Sequence, residues 1–365
     1  MEPSLVNTVD LPFFFGFFNV GVLSWSKMTI GEELVEKIRM TRCRQVAKKS
    51  FSIKIFGLCI TCFSRTYMEW FIKYGGDAEN IPGYDCKLSD RKPGTKDYVL
   101  GTAFIAYGLF AEMIYILDLM VMVKKQHRRL SCYKIMIALG MYDMAAISLN
   151  SLLTGYFWVN GTNYCTNPTL MFVAGSVALG LWCGACMNCF VLVINRLLDV
   201  WNKDIMQALF KDGRTYVVLL LPLTYSLYFC FFTTPLLFNS DQTAWFFFTF
   251  APEHDPEMYY NYPHTANNLL IVVITCLLYV QYSRVLLRHS KVGSGLSWAQ
   301  KSFFPTPSYF VLIGHVCWQL GHGFPAIVYL CLNRTIQREA LALLGIRKTL
   351  THLKRSISRT PVTDN

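Results

Sequence analysis

The chain has 365 residues, of which 53% are hydrophobic and only 16% are charged, and its formal net charge is +11 at pH 7. Soluble globular proteins carry roughly 25% charged residues, so this composition excludes a disordered chain, a coiled coil and a nucleic-acid-binding domain. The basic residues lie in short clusters between apolar runs, which is the pattern of cytoplasmic loops in membrane proteins. The composition therefore predicts a multi-spanning membrane protein that does not bind nucleic acid.

Six segments have the length and apolar character of membrane-spanning helices, since crossing the hydrocarbon core takes about 20 mostly apolar residues. Two earlier apolar runs, over residues 11–25 and 51–63, are shorter and are not predicted to span. The six predicted spans are residues 98–123, 135–159, 169–195, 216–238, 267–282 and 308–332.

The charges of the connecting loops predict the orientation, because Lys and Arg mark the cytoplasmic side. The loop over 124–130 (KKQHRRL) is basic and is expected inside, whereas the loops over 160–168 and 239–264 have no Lys or Arg and are expected outside. This alternation places the N-terminus outside, although the segment before residue 98 is basic. The tail over 333–365 is also strongly basic.

The tail breaks the alternation. One apolar segment, 308–332, separates it from a second basic loop, and a single crossing cannot begin and end on the same face. Either this segment re-enters the membrane or one helix is missing, and residues 286–308 are too polar and too rich in Gly and Pro to supply it. Seven spans would place each loop between spans on the side of the membrane that its charge predicts, but the sequence shows six.

Enzyme and metal motifs are absent from the sequence. It contains no His-Glu-x-x-His, nucleophile elbow or P-loop. Three cysteines (Cys183, Cys186 and Cys189) follow one another at i+3 on one predicted span, but such positions do not converge on the tetrahedral site that zinc requires. We therefore expect no enzymatic activity, no metal and no cofactor.

Several short motifs occur in a specific order between Tyr67 and Gln337. They include Leu139-Gly140-x-x-Asp143, Ala178-Leu179-Gly180-Leu181-Trp182-Cys183, Trp318-Gln319-Leu320-Gly321-His322-Gly323 and Tyr329-x-x-x-Asn333-Arg334-Thr335-Ile336. In this order the chain resembles the nematode serpentine receptor class T chemoreceptors, a branch of the rhodopsin-like G-protein-coupled receptors.

The resemblance implies an all-α fold, a multi-pass bundle of the seven-helix receptor type. In that family a sixth helix would follow Gln300-Lys301-Ser302, but Phe303-Phe304-Pro305 follows at once here, so this chain is expected to lack its sixth helix. The domain prediction is an unassigned N-terminal extension (1–67), an extracellular segment (68–97), the helix bundle (98–332) and a basic cytoplasmic tail (333–365). The extension has no counterpart in the family and is a possible gene-model artefact.

The function implied is that of a chemosensory receptor in the plasma membrane. It would detect a small-molecule or peptide ligand outside the cell and signal through a heterotrimeric G protein, with the N-terminus outside and the C-terminus inside once the missing helix is restored. The alternatives are a multi-pass transporter or channel, or a non-signalling receptor product that lacks one helix.

Two polar sites, one at the end of the third span and one inside the second, are implied by the resemblance to act in signalling. Asn195 and Arg196 take the place of the acidic-Arg-aromatic triplet of rhodopsin-like receptors and are predicted to couple to the G protein; the alternative for Arg196 is an ordinary arginine that snorkels at a helix end. Asp143, the one charge in the second span, is predicted to be a polar switch in the core. Its alternative role is a structural partner for Asn150 or Ser151.

Four polar or aromatic residues recur at helical spacing in the last span and could line a ligand pocket, since such sites place a few polar groups in an apolar cleft. Hydrogen bonding between helices is the alternative role. The four are His315, Trp318, Gln319 and His322.

Three residues in the predicted outside regions complete the predictions. Related receptors anchor a disulfide just before the third span, which implies Cys165; because the loop over 239–264 has no Cys, Cys86 is the available partner. Two free thiols are the alternative. Asn160 heads an Asn-Gly-Thr sequon and is the predicted glycosylation site.

Overall fold

The structure is a computed structural model that describes residues 67–252, 254–289 and 309–345. The predictions for residues 1–66 and for the junction at 302–303 lie outside these ranges. In chain order the helices are Tyr67–Lys73 (α1), Tyr98–Met122 (α2), Lys125–Arg128 (α3), Ser131–Ile147 (α4), Thr154–Asn160 (α5), Pro168–Trp201 (α6), Lys203–Phe210 (α7), Arg214–Phe232 (α8), Tyr262–His289 (α9), Tyr309–Leu332 (α10) and Arg334–Leu343 (α11).

The described residues contain four helical stretches that are long and apolar enough to cross a membrane. These are Tyr98–Met122, Ser131–Asn160, Pro168–Trp201 and Arg214–Phe232. The second stretch is continuous from α4 to α5 because a π-helical turn, Ser148–Leu153, joins them. The predicted multi-pass helical bundle is confirmed, while membrane crossing by α9 and α10 stays a prediction.

The helix starts follow from local sequence. Asp97 precedes α2 in an extended conformation, and its side chain accepts a hydrogen bond from the Leu100 N–H at 2.8 Å. Asn167 caps α6 in the same way, with Pro168 in the first turn, where a missing N–H costs nothing. Such caps satisfy N–H groups that have no partner inside the helix.

The fourth predicted span is wrong at its end. It was expected to reach residue 238, but α8 ends at Phe232, and Leu237–Asn239 (β1) instead pairs antiparallel with Ala244–Phe246 (β2). Pro235 explains the difference, because proline disfavours helical geometry in the residue before it and cannot donate a helical hydrogen bond. The third helix differs in the other direction, since α6 continues to Trp201 rather than ending at residue 195.

Helix α6 lies at the centre of the bundle and is buried along most of its length, against α4 on one side and α8 on another. Helices α2 and α5 approach closely where two glycines face each other. A Cβ on Gly101 would lie 2.7 Å from the Gly155 carbonyl oxygen, and one on Gly155 would lie 2.6 Å from that of Gly101. Small residues at helix contacts are typical of membrane bundles.

The bundle has two ends. The disulfide end holds the start of α2, the end of α5, the start of α6 and the β-hairpin. The α11 end holds α3, the end of α6 and α11.

Candidate functional site

Three buried side chains from three helices form one hydrogen-bonded network in the core, which we call the core network. The Tyr115 hydroxyl (α2) donates to Asp143 Oδ2 (α4) at 2.8 Å, and Asp143 Oδ1 lies 2.6 Å from Nδ1 of His322 (α10). The Tyr115 hydroxyl also lies 2.6 Å from the carbonyl oxygen of His322. Both oxygens of the Asp143 carboxylate are therefore occupied by side chains.

Neighbouring residues hold the His322 ring in this position. The Trp182 indole (α6) meets the imidazole edge to face, with ring centroids 5.6 Å apart. Pro325, three residues after His322, removes one helical hydrogen bond from this part of α10. The core network thus joins α2, α4 and α10, with α6 packed against it.

The core network shows which residues Asp143 contacts, while its role as a polar switch stays a prediction. Neither Asn150 nor Ser151 is its partner, because the Ser151 hydroxyl donates to the Phe104 carbonyl oxygen at 2.5 Å and the Asn150 amide makes no hydrogen bond within the described residues. A carboxylate inside a bundle is costly unless it is paired. Asp143 is paired with a histidine that can carry the opposite charge.

The four predicted pocket residues are only partly described. His315, Trp318 and Gln319 belong to α10, but their side chains lie outside the described part of the structure. His322 is 2% exposed and is bonded to Asp143. A pocket lined by these four residues stays a prediction.

A second set of polar contacts runs from the core network toward the disulfide end. Trp182 Nε1 donates to Asn268 Oδ1 (α9) at 3.4 Å, and Asn268 Nδ2 lies 3.1 Å from His264 Nε2, one turn earlier. The His264 ring in turn contacts that of Phe247, at 5.1 Å between centroids, in the segment after the hairpin. Continuous contacts therefore connect His322 to the loop at the disulfide end.

At the α11 end, the residues predicted to couple to a G protein lie about one and a half turns before the end of α6. Asn195 is buried, and its side-chain amide donates to the Ser131 hydroxyl at 2.9 Å. Arg196 is half-buried and has no carboxylate within 4.0 Å among the described residues, so the exposed Asp199 does not pair with it. Arg196 is near enough to the buried Tyr329 of α10 to affect it electrostatically.

Helix α11 is held against the bundle by Glu339. The Glu339 carboxylate accepts hydrogen bonds from Lys124 and Gln126 and lies 2.6 Å from His127 Nε2. Partial burial acts to raise the pKa of Glu339, but the bonds from Lys124 and His127 outweigh it, so the pKa lies below its ordinary value. On its other face, α11 buries Ile336 against the ends of α2 and α4.

The segment before α2 lies over the disulfide end as a cap. A disulfide joins Cys86 to Cys165, with their Cα atoms 5.7 Å apart. Tyr84 packs edge to face against Phe172 and Tyr259, each at 5.2 Å between ring centroids, and its carbonyl oxygen accepts a hydrogen bond from Tyr164 at 2.8 Å. The structure thus brings the two predicted cysteines together.

Asp241, in the turn of the β-hairpin, ties the cap to the bundle. Its carboxylate accepts hydrogen bonds from the Thr95 N–H and hydroxyl at 2.7 and 2.8 Å and from the Asn163 amide at 2.7 Å. Partial burial acts to raise the pKa of Asp241, but these hydrogen bonds outweigh it, so the pKa is lowered. Asn160 lies nearby at the end of α5 and is exposed.

The cap is basic, although the predicted orientation places it outside. Two of its cations are paired with carboxylates of the same segment, Arg91 with Glu79 and Lys92 with Asp90 at 3.1 Å. These pairs reduce the net charge of the segment, and its location outside the membrane stays a prediction.

An open cleft of about 590 Å³ lies beside the disulfide, between the cap and the hairpin. Its lining is mainly polar. The residues are Leu88, Ser89, Asp90, Lys92, Asn163, Cys165, Thr166, Asn239, Asp241, Gln242, Thr249, Phe250, Ala251 and Pro252.

Sequence reasoning missed several residues of these sites. Tyr115 carries no pattern that distinguishes it from the other aromatic residues of its span, and Trp182 and Asn268 lie on separate helices. Asn267 and Tyr225 are bonded at 2.8 Å in the same region. The polar pair Asn267-Asn268 at the start of an otherwise apolar span was the available signal.

The buried polar core, the disulfide-linked cap and the apolar helices define a multi-pass helical membrane protein of the seven-helix receptor type. A family model, "Serpentine type 7TM GPCR chemoreceptor Srt", matches residues 70–302 and 290–353, and the chain belongs to this family. It is also similar to "Serpentine receptor class T-55" of Caenorhabditis elegans, with 27% identity over 308 residues, covering 74% of this chain and 82% of the relative. The predicted family is therefore confirmed, and it is a family of receptors rather than enzymes.

Proposed function

We propose that this serpentine receptor detects an extracellular small molecule or peptide and signals through a heterotrimeric G protein at the plasma membrane. In this proposal the disulfide end faces outward and the α11 end faces the cytoplasm. The disulfide, the exposed Asn160 and the two loops without Lys or Arg support this orientation.

The core network is the observation that carries the proposal. A hydrogen-bonded Asp–His pair buried between three helices is stable in one arrangement of those helices and is broken by their separation, so it can act as a two-state element. The contacts from His322 through Trp182 to Asn268 give a ligand at the outer end a route to bias that element.

The cytoplasmic part of the proposal rests on Asn195 and Arg196. The bond from Asn195 to Ser131 holds α6 to the start of α4. Arg196 has no carboxylate partner among the described residues and is half-buried, so its charge is available for a G protein when the helices move apart.

A second candidate function is a receptor product that does not signal. The family model matches the chain in two parts, and the first part ends at Ser302, where the sequence predicts that the sixth helix is missing. A bundle without one wall would reach the membrane without completing a G-protein site.

The proposal is tested by measuring nucleotide exchange on purified heterotrimeric G proteins of several classes, using membranes that contain the full chain. We expect exchange above that of empty membranes for at least one class. Arg196→Ala should abolish the increase, while Lys203→Ala, a change at an exposed position at the start of α7, should preserve it.

Correct insertion is checked in the same membranes by the Cys86–Cys165 disulfide. A correctly inserted chain that activates none of the G proteins would contradict the proposal and favour the non-signalling product. An increase that persists in Arg196→Ala would contradict the role of Arg196.

A further inference from the structure

A second carboxylate is buried in the core, one turn from Tyr115, and takes no part in the core network. Asp118 of α2 is 0% exposed, and neither of its oxygens has a hydrogen-bond partner within the described residues. It shares the inward face of α2 with Tyr115 and Met122, which are also fully buried.

The groups that surround Asp118 are identified by the helices packed against α2. On α10, Tyr329 interacts electrostatically with Asp118, and its hydroxyl also lacks a hydrogen-bond partner within the described residues. The core network, which includes Tyr115 one turn away on α2, contains Asp143 from α4 and His322 from α10. Tyr329 also interacts electrostatically with Cys189 and Arg196 of α6. On α11, Arg334 and Arg338 are exposed, and Glu339 is already engaged by Lys124 and His127.

The charges near Asp118 decide whether its carboxyl group is protonated. His322 can carry one positive charge, and it lies against Asp143 at 2.6 Å. No cationic side chain lies within 4.0 Å of Asp118 among the described residues. An ionised carboxylate buried without a partner is strongly unfavourable, and such a group takes up a proton instead.

A metal ion is a poor alternative. The described residues contain no cluster of three or more His, Cys, Asp or Glu that could hold one. Beside Asp118, Tyr329 provides a single neutral oxygen.

We infer that Asp118 is a proton-binding site: its carboxyl group carries a proton in this arrangement of the helices and releases it when water enters between α2 and α10. Asp118 lies four residues before the end of α2, about 6 Å along the helix axis from that end. The proton therefore exchanges through the α11 end. Opening at this end exposes the carboxyl to water and is favoured by alkaline pH.

Infrared spectroscopy of the full chain in lipid vesicles tests this inference, because a protonated carboxyl absorbs separately from a carboxylate. At neutral pH we expect a carboxylic-acid band equivalent to one group to disappear in Asp118→Asn and to remain in Asp204→Asn, a change at an exposed position of α7. An unchanged band in Asp118→Asn would overturn the inference, as would the absence of any such band in the wild-type chain.

Thermal unfolding at a series of pH values provides a second readout. Burial favours the neutral acid, so the unfolded state loses its proton first as pH rises, and the wild-type unfolding temperature should fall with increasing pH. The fall should be smaller in Asp118→Asn and in Asp118→Leu, the second variant guarding against a folding defect of the first. Equal slopes in the wild type and both variants would overturn the inference. None of these readouts depends on G-protein coupling, so failure here is distinct from failure of the proposed function.

Discussion

Replacing His322 with leucine should strongly destabilise the bundle, because it removes the histidine that pairs with a fully buried carboxylate. In the native chain, Asp143 is bonded to His322 through one oxygen and to Tyr115 through the other. The His322→Leu variant leaves the tyrosine hydroxyl as the remaining partner. Helices α2 and α4 would then enclose a carboxyl group that either stays charged without a counter-ion or takes up a proton, and both outcomes cost folding free energy.

The magnitude follows from the type of contact. Breaking a buried ion pair by removing one partner costs about 3–5 kcal/mol, whereas single hydrogen bonds between membrane helices contribute on the order of 0.6–2 kcal/mol. His322→Leu should therefore lower the free energy of unfolding about three times as much as Tyr115→Phe. The double variant Asp143→Leu with His322→Leu removes both charges and should cost less than His322→Leu alone, since apolar replacement of a whole pair is often neutral.

The assay is equilibrium unfolding in mixed micelles for the wild type, the two single leucine variants and the double variant. The double-mutant cycle isolates the interaction between Asp143 and His322. Additive effects of the two leucine substitutions would refute the reasoning. So would a cost of His322→Leu no larger than that of Tyr115→Phe.

Three further predictions concern the two ends of the bundle and the helix that the sequence predicts to be missing. Asn160 should be glycosylated and Asn333 should not, because Asn333 caps α11 at the opposite end; a mobility shift abolished by Asn333→Gln rather than Asn160→Gln would reverse the topology. Mass spectrometry under non-reducing conditions should recover Cys86 linked to Cys165, and free thiols at both positions would contradict the tether. Transcript sequencing should reveal a form with roughly 20–30 additional apolar residues near Ser302, enough for one span; an uninterrupted reading frame there, with no apolar exon nearby, would exclude it.

The helices could be predicted from sequence because apolar length is a local property. The prediction was less accurate at their ends. Pro235 stops α8 before the apolar run ends, and α6 continues past the charged Arg196 to Trp201. The length of an apolar run alone predicts neither of these helix ends.

The site was predictable only in part. Asp143 stands out because it is the one charge of its span, and His322 because it lies near the middle of an apolar helix, α10. Their pairing joins residues 179 positions apart, and the role of Tyr115 depends on how α2 packs beside them. Such partnerships are set by tertiary packing, which a single sequence does not display.

The most direct test of the account is nucleotide exchange without ligand, measured for the wild type, Tyr115→Phe, and Tyr115→Phe combined with Arg196→Ala. If the core network holds the resting arrangement and controls the opposite end of α6, Tyr115→Phe should raise exchange above the wild-type level, and the added Arg196→Ala should return it to that of empty membranes. Exchange that is the same for all three correctly inserted chains would contradict the account.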